Sequence, residues 1–529
     1  MQLETNNFLY ETLLEHMPAL QRRALGYSLN YVEQVANLAC IHHPGRFADG
    51  ALENFPYQAG LEMAEATFLP EASSSRGVRR TGSSTLHVVS EVNPTGGHSR
   101  VVAKWVQRDL GSSHAVVLTR QRAAVPAFLQ RIWDDRGAPV TLLRAEEPVD
   151  VRARQVKSLA SGFDRVILHT HPDDAVPVVA FARPGGCPVA MFNHAHFWFS
   201  LGSTVSDIII NTLPYFQQVT RRHRFPRETA LLRGGGLEPL RWVVVDKRAA
   251  KANLGLPEEG PVAMTIGHEN YFSPGNGYDF YDTAGKLMER QPDLTLLVVG
   301  VHETCPWVPE RLKSSGRVRL LGPVVDPTPF YCAADVCLES FPMPSLGGLV
   351  ESVAYGEAFP VPVYGPGENI VRVSLVGRFD YEFRPRTEEE YLAYVCRLLA
   401  ARDETRGKAA GLRRVLVESD ERYGEQFAPL YRQIDALRHM PGEIPATTCC
   451  AEEDNRILAS FTEPDVCRKI NQLLPLGPAV LAHLKAALHG HERMGLAAER
   501  IMRRSLGGLR RMGRRVRNRS PRFRGQFTV

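Results

Sequence analysis

Short, largely apolar segments recur through this chain, each ending in a glycine or a polar turn and each followed by a stretch with helical spacing. Residues 86–92, 115–118, 140–143, 165–168, 189–192 and 207–211 form a first set, and 262–267, 294–301, 318–322, 336–338 and 359–363 a second. A strand without polar–apolar alternation is buried on both faces, and helical lengths between such strands supply the covering layers. The pattern therefore dictates parallel sheets with helices on either side. With 529 residues the chain is too long for a single core, which agrees with two successive α/β units. We expect a helical N-terminal extension over 1–70, where Leu9, Leu13, Leu14, Met17 and Leu20 keep helical spacing, and a linker near 71–84. An N-terminal domain over 84–245, a second domain over 246–440 and a C-terminal segment over 441–529 complete the division.

The composition excludes several classes. At 44% hydrophobic and 23% charged residues the chain is not generally disordered. Its best apolar run, 294–301, has the length of a buried strand and not of a bilayer span. The first residues lack the basic start and apolar core of a signal peptide. Nine cysteines, odd in number and with no C-x-x-C pair, encode neither a zinc finger nor a disulfide framework, so a reducing cytoplasm is expected. The net charge of +5 hides an asymmetry: residues 493–529 carry twelve arginines against the single acid Glu499, a local +11, which leaves −6 on residues 1–492. The tail, not the body, is built to meet something anionic.

In doubly wound sheets ligands lie beyond the carboxyl ends of strands, where glycine turns expose backbone N–H groups and helices begin. Five segments hold that position: 96–100 with Gly96, Gly97 and His98; 169–174; 193–196 with His194 and His196; 267–270 with Gly267 and His268; and 344–351. In the last, Gly347 and Gly348 open a helix that carries Glu351 one turn in.

The order and spacing of these segments resemble the GT-B glycosyltransferases, especially the group-one (family-four-like) enzymes and the O-GlcNAc and cytoplasmic N-glycosyltransferase families. The matching stretches are 94–101, 189–196 followed by 207–211, 262–267, 294–300, 317–322 and above all 339–364, with its core Ser345-Leu346-Gly347-Gly348-Leu349-Val350-Glu351. The resemblance spans 84–440 and neither end of the chain. It implies two Rossmann-like domains facing a central cleft, with a UDP- or GDP-linked sugar held mostly on the second and neither metal nor other cofactor required. It implies donor contacts at Gly96, Gly97, Gly267, His268, Ser345, Gly347, Gly348, Leu349 and Glu351, with Glu351 on the ribose. It places His98, His194 and His196 as catalytic candidates around the sugar and a hydroxyl acceptor, on a polysaccharide, a glycolipid or a similar molecule. The chain departs from the family at Met343, eight positions before Glu351, where retaining group-one enzymes carry a second glutamate; Glu339 is near but out of register. His268 and Asn276 stand where an arginine and a lysine are usual, and Lys247, Lys251, Arg317 and Arg319 are the candidate replacements.

Other readings stay open on sequence. Paired His169 with His171 and His194 with His196 would suit a metal-dependent hydrolase. A sugar-nucleotide epimerase or an inactive nucleotide-sugar-binding protein would share the fold. The Arg-rich tail carries Ile501, Met502, Leu506, Leu509, Met512 and Val516 among its arginines, which suits the anionic inner face of a membrane and a lipid-linked acceptor. Nucleic acid is disfavoured, because only Phe523 and Phe527 interleave the arginines.

Overall fold

The computed structural model describes residues 2–20, 25–66, 83–94, 97–234, 246–324, 326–345, 347–356, 358–365 and 383–460. Gly96, most of the expected linker and the whole Arg-rich tail lie outside the described residues. The chain forms two compact units. The first takes the described parts of 1–212, 216–231 and 428–460; the second takes 213–215 and the described parts of 232–427. Among the described residues no helix is long and apolar enough to cross a membrane.

Seven strands make the first sheet: β1 Ser83–Val89, β2 Ser112–Leu118, β3 Val140–Leu142, β4 Arg165–His169, β5 Val189–Phe192, β6 Ile208–Asn211 and β7 Glu228–Leu231. All pair in parallel, in the order β3-β2-β1-β4-β5-β6-β7. Apolar residues fix the register: Leu86 stands opposite Ala115 on one side and Val166 on the other. Edge strand β7 escaped the sequence reading because it is short and only partly buried, so it lacks a continuous apolar run. The order reverses at β1 and β4, which makes the space beyond their carboxyl ends the switch point of this unit.

The N-terminal helices are part of this unit's core. Leu29, Val32 and Val35 of the helix Leu25–Ile41, and Leu52 of the helix Gly50–Ala66, join one apolar cluster with Val88 of β1 and Leu168 of β4. The chain returns here after the second unit: His439 bonds Asp207 through Nδ1 at 2.8 Å, and the Gly50 amide donates to the Pro445 carbonyl at 3.0 Å. Residues 428–440, which the sequence reading gave to the second domain, thus pack with the first unit.

The second sheet has five parallel strands: β8 Val262–Ile266, β9 Thr295–Val299, β10 Val318–Leu320, β11 Val336–Leu338 and β12 Phe359–Val361, in the order β10-β9-β8-β11-β12. Its switch point lies beyond β8 and β11. Two doubly wound parallel sheets are the architecture the strand pattern predicts.

Candidate functional site

At the first switch point the loop after β4 is pinned by carboxylates, of which Asp174 is buried. Asp174 Oδ2 accepts from the Ser90 and Thr119 hydroxyls, each at 2.6 Å, and its Oδ1 accepts from the Val176 amide at 3.0 Å. Ser90 Oγ accepts in turn from the His171 amide at 2.8 Å. One side chain thereby ties the ends of β1 and β2 to the β4 loop. Beside it Arg120 forks onto Asp173 at 2.5 and 3.2 Å. Burial pushes the Asp173 carboxyl up, but the Arg120 guanidinium outweighs it and holds the group below the usual range. Glu33, from the helix Leu25–Ile41, accepts from the Ala175 amide at 3.2 Å; burial, and then Asp174, raise its carboxyl to about 7.

Histidines fill the remaining space. His98, second residue of the helix Gly97–Arg108, meets the His169 carbonyl through Nε2 at 2.7 Å. Its ring stands edge-on to His194, with centroids 4.3 Å apart, and lies 5.2 Å from His171. His194 Nε2 is 3.2 Å from His169 Nδ1. Burial lowers His98 to about 3 and drives His169 and His194 well below the ordinary imidazole range, with neighbouring histidines adding to the effect. A cluster of neutral rings can accept a proton at one nitrogen while donating from the other. His196 points to a different role: its ring stacks on Phe216 at 4.2 Å and 11°. Both ring nitrogens of His169 are engaged by other histidines, at 3.1 and 3.2 Å. No group of three or more His, Cys, Asp or Glu side chains is arranged to hold a metal among the described residues.

The second switch point is built differently. Buried Glu339, just after β11, accepts through Oε1 from the Ser345 amide and the Ser345 hydroxyl, both at 2.8 Å, and from the Ser340 amide at 3.1 Å. It therefore fixes the turn that leads into the helix Gly347–Gly356. Adjacent glycines there differ in kind. A side chain on Gly348 would collide with Ile266 Cγ2 at the end of β8, so this glycine lets the helix pack on the strand. A side chain on Gly347 would meet nothing within 4 Å among the described residues, and its amide donates to the Ser345 carbonyl. Leu349 turns its side chain into the core. Half-buried Glu351 accepts from the Tyr331 hydroxyl at 3.0 Å.

The other expected donor residues scatter in function. The Gly267 amide donates to the Val299 carbonyl at 3.1 Å, joining the ends of β8 and β9. Exposed His268 caps the turn Glu269–Phe272, its Nδ1 accepting from the Asn270 amide at 3.3 Å. Gly97 is exposed, and a side chain there would meet nothing within 4 Å among the described residues. The four cations offered as replacements for the missing clamp are corrected by the structure, because each holds up its own unit. Lys247 bonds Asp335 at 2.5 Å and the Ala334 carbonyl at 3.0 Å. Lys251 bonds the Glu258 and Gly260 carbonyls at 2.9 and 2.7 Å, Arg317 those of Met288, Gln291 and Pro292, and Arg319 those of Leu254 and Gly255.

Sequence reasoning passed over His87, Asp109, His114, Arg120 and Glu33. A signal existed for two of them: His87 and His114 interrupt strands that are otherwise apolar or small, and a polar residue there needs a partner.

No family model and no curated protein matches the chain. Among solved structures, a mutant of the Thermobaculum terrenum O-GlcNAc transferase aligns at 14% identity and TM-score 0.51, covering 82% of each chain. A Rickettsia africae ESF-5 glycosyltransferase aligns at 12% identity and TM-score 0.48, covering 66% of this chain and 98% of its own. Anabaena HepE, in complex with UDP and glucose, aligns at 13% and 0.47, covering 66% and 99%. With two doubly wound parallel sheets in this strand order and the likeness to the first of these structures, the chain has the GT-B fold.

Proposed function

We propose that the protein is a glycosyltransferase that moves a sugar from a nucleoside diphosphate, UDP- or GDP-linked, to a hydroxyl acceptor on a glycan or a lipid-linked molecule. The observation that carries this reading is the segment from Ser345 to Glu351: a buried glutamate holds Ser345, a side chain on Gly347 at the helix start would meet none of the described residues, and a carboxylate follows one turn later. A helix N-terminus favours negative charge, so the diphosphate would sit on the Gly347 end and need no metal to neutralise it. Glu351 would take the ribose hydroxyls alongside Tyr331. The GT-B fold, shared over 82% of each chain with an O-GlcNAc transferase, supports the transferase reading. In the first unit His194, neutral and ringed by other imidazoles, is the candidate general base, with His98 beside it. We propose a cytoplasmic protein whose Arg-rich tail rests on an anionic membrane surface.

Thermal-shift titration with UDP, GDP and ADP, and then with their sugars, tests the donor. A true ligand raises the melting temperature by mass action, and no shift with any of them overturns the reading. Incubation with the donor sugar alone separates the enzyme classes, because an epimerase alters the sugar without an acceptor.

A further inference from the structure

Four imidazoles of the first unit form an unbroken hydrogen-bonded chain that ends on a carboxylate. His114 of β2 stands opposite Thr85 of β1, and His87 lies two residues further along β1. His169 of β4 stands opposite Val89, again two residues beyond His87. Strand periodicity puts the three on one face as diagonal neighbours, so the chain climbs toward the carboxyl edge, where His194 follows β5. The links are close: His87 Nε2 to His114 Nδ1 at 3.0 Å, His87 Nδ1 to His169 Nε2 at 3.1 Å, and His169 Nδ1 to His194 Nε2 at 3.2 Å. Trp105 covers them edge-on to His87 and His169.

The far end sets the direction. His114 Nε2 faces two oxygens of Asp109, the backbone carbonyl and Oδ2, both at 3.3 Å. The Trp105 indole donates to the Tyr431 hydroxyl at 2.8 Å, so that hydroxyl gives its own proton to Asp109 Oδ2 at 2.6 Å. The Gly111 amide donates to Oδ1 at 3.0 Å. Asp109 is therefore an acceptor on every side, and His114 Nε2 must donate to it. With a single proton on each ring, every following link is then fixed: His87 Nε2–H to His114, His169 Nε2–H to His87, and His194 Nε2–H to His169. The lone pair of His194 is left on Nδ1.

We propose that His114, His87 and His169 are positioning residues, a chain that sets the tautomer of His194 so that its Nδ1 takes the proton of the acceptor hydroxyl. The proposal rests on the transferase reading above. In the step, the hydroxyl proton moves to His194 Nδ1 while the oxygen forms its bond to the anomeric carbon. The bond from that carbon to the diphosphate oxygen breaks, and its electron pair leaves with the diphosphate. His194 becomes an imidazolium held by the His169 lone pair and later returns one proton to water.

Full-length protein carrying ¹⁵N-histidine tests this without any activity assay. The ¹⁵N resonances of His194, assigned through His194→Gln, should show Nδ1 unprotonated in the unmodified protein. His114→Leu removes the directional end and should yield a mixture of tautomers at His194. His114→Asn keeps an oxygen for His87 and an N–H for Asp109, and should restore the single tautomer. In sugar transfer, His114→Leu should lower kcat about tenfold with the donor KM unchanged; the loss is smaller than the ~10⁴ that follows when an acceptor is made to impose the wrong tautomer. His114→Asn should return most of it. A proton on His194 Nδ1 in the unmodified protein, or an unchanged tautomer in His114→Leu that retains its near-ultraviolet dichroism, overturns the proposal. Correct tautomers with no transfer to any acceptor overturn the transferase reading instead.

Discussion

The two switch points share a topology and differ in what fills them. Beyond β1 and β4 the space is packed with titratable side chains that satisfy one another. Beyond β8 and β11 it is shaped by one buried glutamate, a turn and two glycines. Backbone amides at a helix start recognise charge and geometry, whereas imidazoles in a chain recognise and move protons. On the transferase reading proposed above, that contrast would suit a division of labour, with a diphosphate held on the second unit and proton chemistry on the first.

Acid should break the comparison most strongly. Among the described residues of the first unit, seven histidines (His43, His87, His98, His169, His171, His194 and His223) are held below their ordinary range, chiefly by burial. The unfolded chain binds their protons from about pH 6.5 downward, while the folded protein resists, in the case of His98 until about 3. Stability is therefore lost as the pH falls below about 6.5. Half-buried Glu33 and buried Glu53, both raised to about 7, work in the opposite direction, since they are stabilising below about 4.5 and lose that contribution as the pH rises through 7. Two groups against seven do not reverse the trend. Hydrogen exchange between pH 7.5 and 4.5 should show the first unit losing protection before the second; equal loss in both would refute it.

Next in size is Asp174→Ala, which strands the Ser90 and Thr119 hydroxyls and should cost about 3 kcal/mol in chemical denaturation. A loss within about 0.5 kcal/mol would remove Asp174 as the pin of this site. Glu351→Ala should weaken nucleotide binding by about 10- to 100-fold, the worth of a hydrogen bond to a charged group, with the fold intact. Unchanged affinity in calorimetry would take Glu351 out of the donor site. The sharpest pair is Gly348→Ala against Gly347→Ala. The first meets Ile266 and should cost about 1–3 kcal/mol by overpacking. The second meets nothing and should leave stability unchanged or raise it by about 0.5 kcal/mol, yet weaken the donor by crowding its approach. Equal stability effects at the two positions would erase the distinction drawn between them.

Much of the fold was legible because continuous apolar strands leave few alternatives. The expected strand at 189–192 is β5, and the one at 262–267 is β8 with its following glycine. Edge strand β7 and the return of 428–440 to the first unit were not legible, since neither carries an apolar period that names its partner. At the site, the glycine turn and Glu351 stood out by local spacing. Lys247, Lys251, Arg317 and Arg319 looked available only because a linear sequence does not show the carbonyls they hold.

By itself the sequence determined two doubly wound sheets, the turns at their carboxyl edges and the basic tail, because periodicity and glycine placement act over a few residues. Only the tertiary structure decided that His87, His114, His169 and His194, drawn from three strands and a loop, share one line of ring-nitrogen contacts. Strand order and register bring them together, and register is settled by the packing of the entire sheet and not by any stretch of chain.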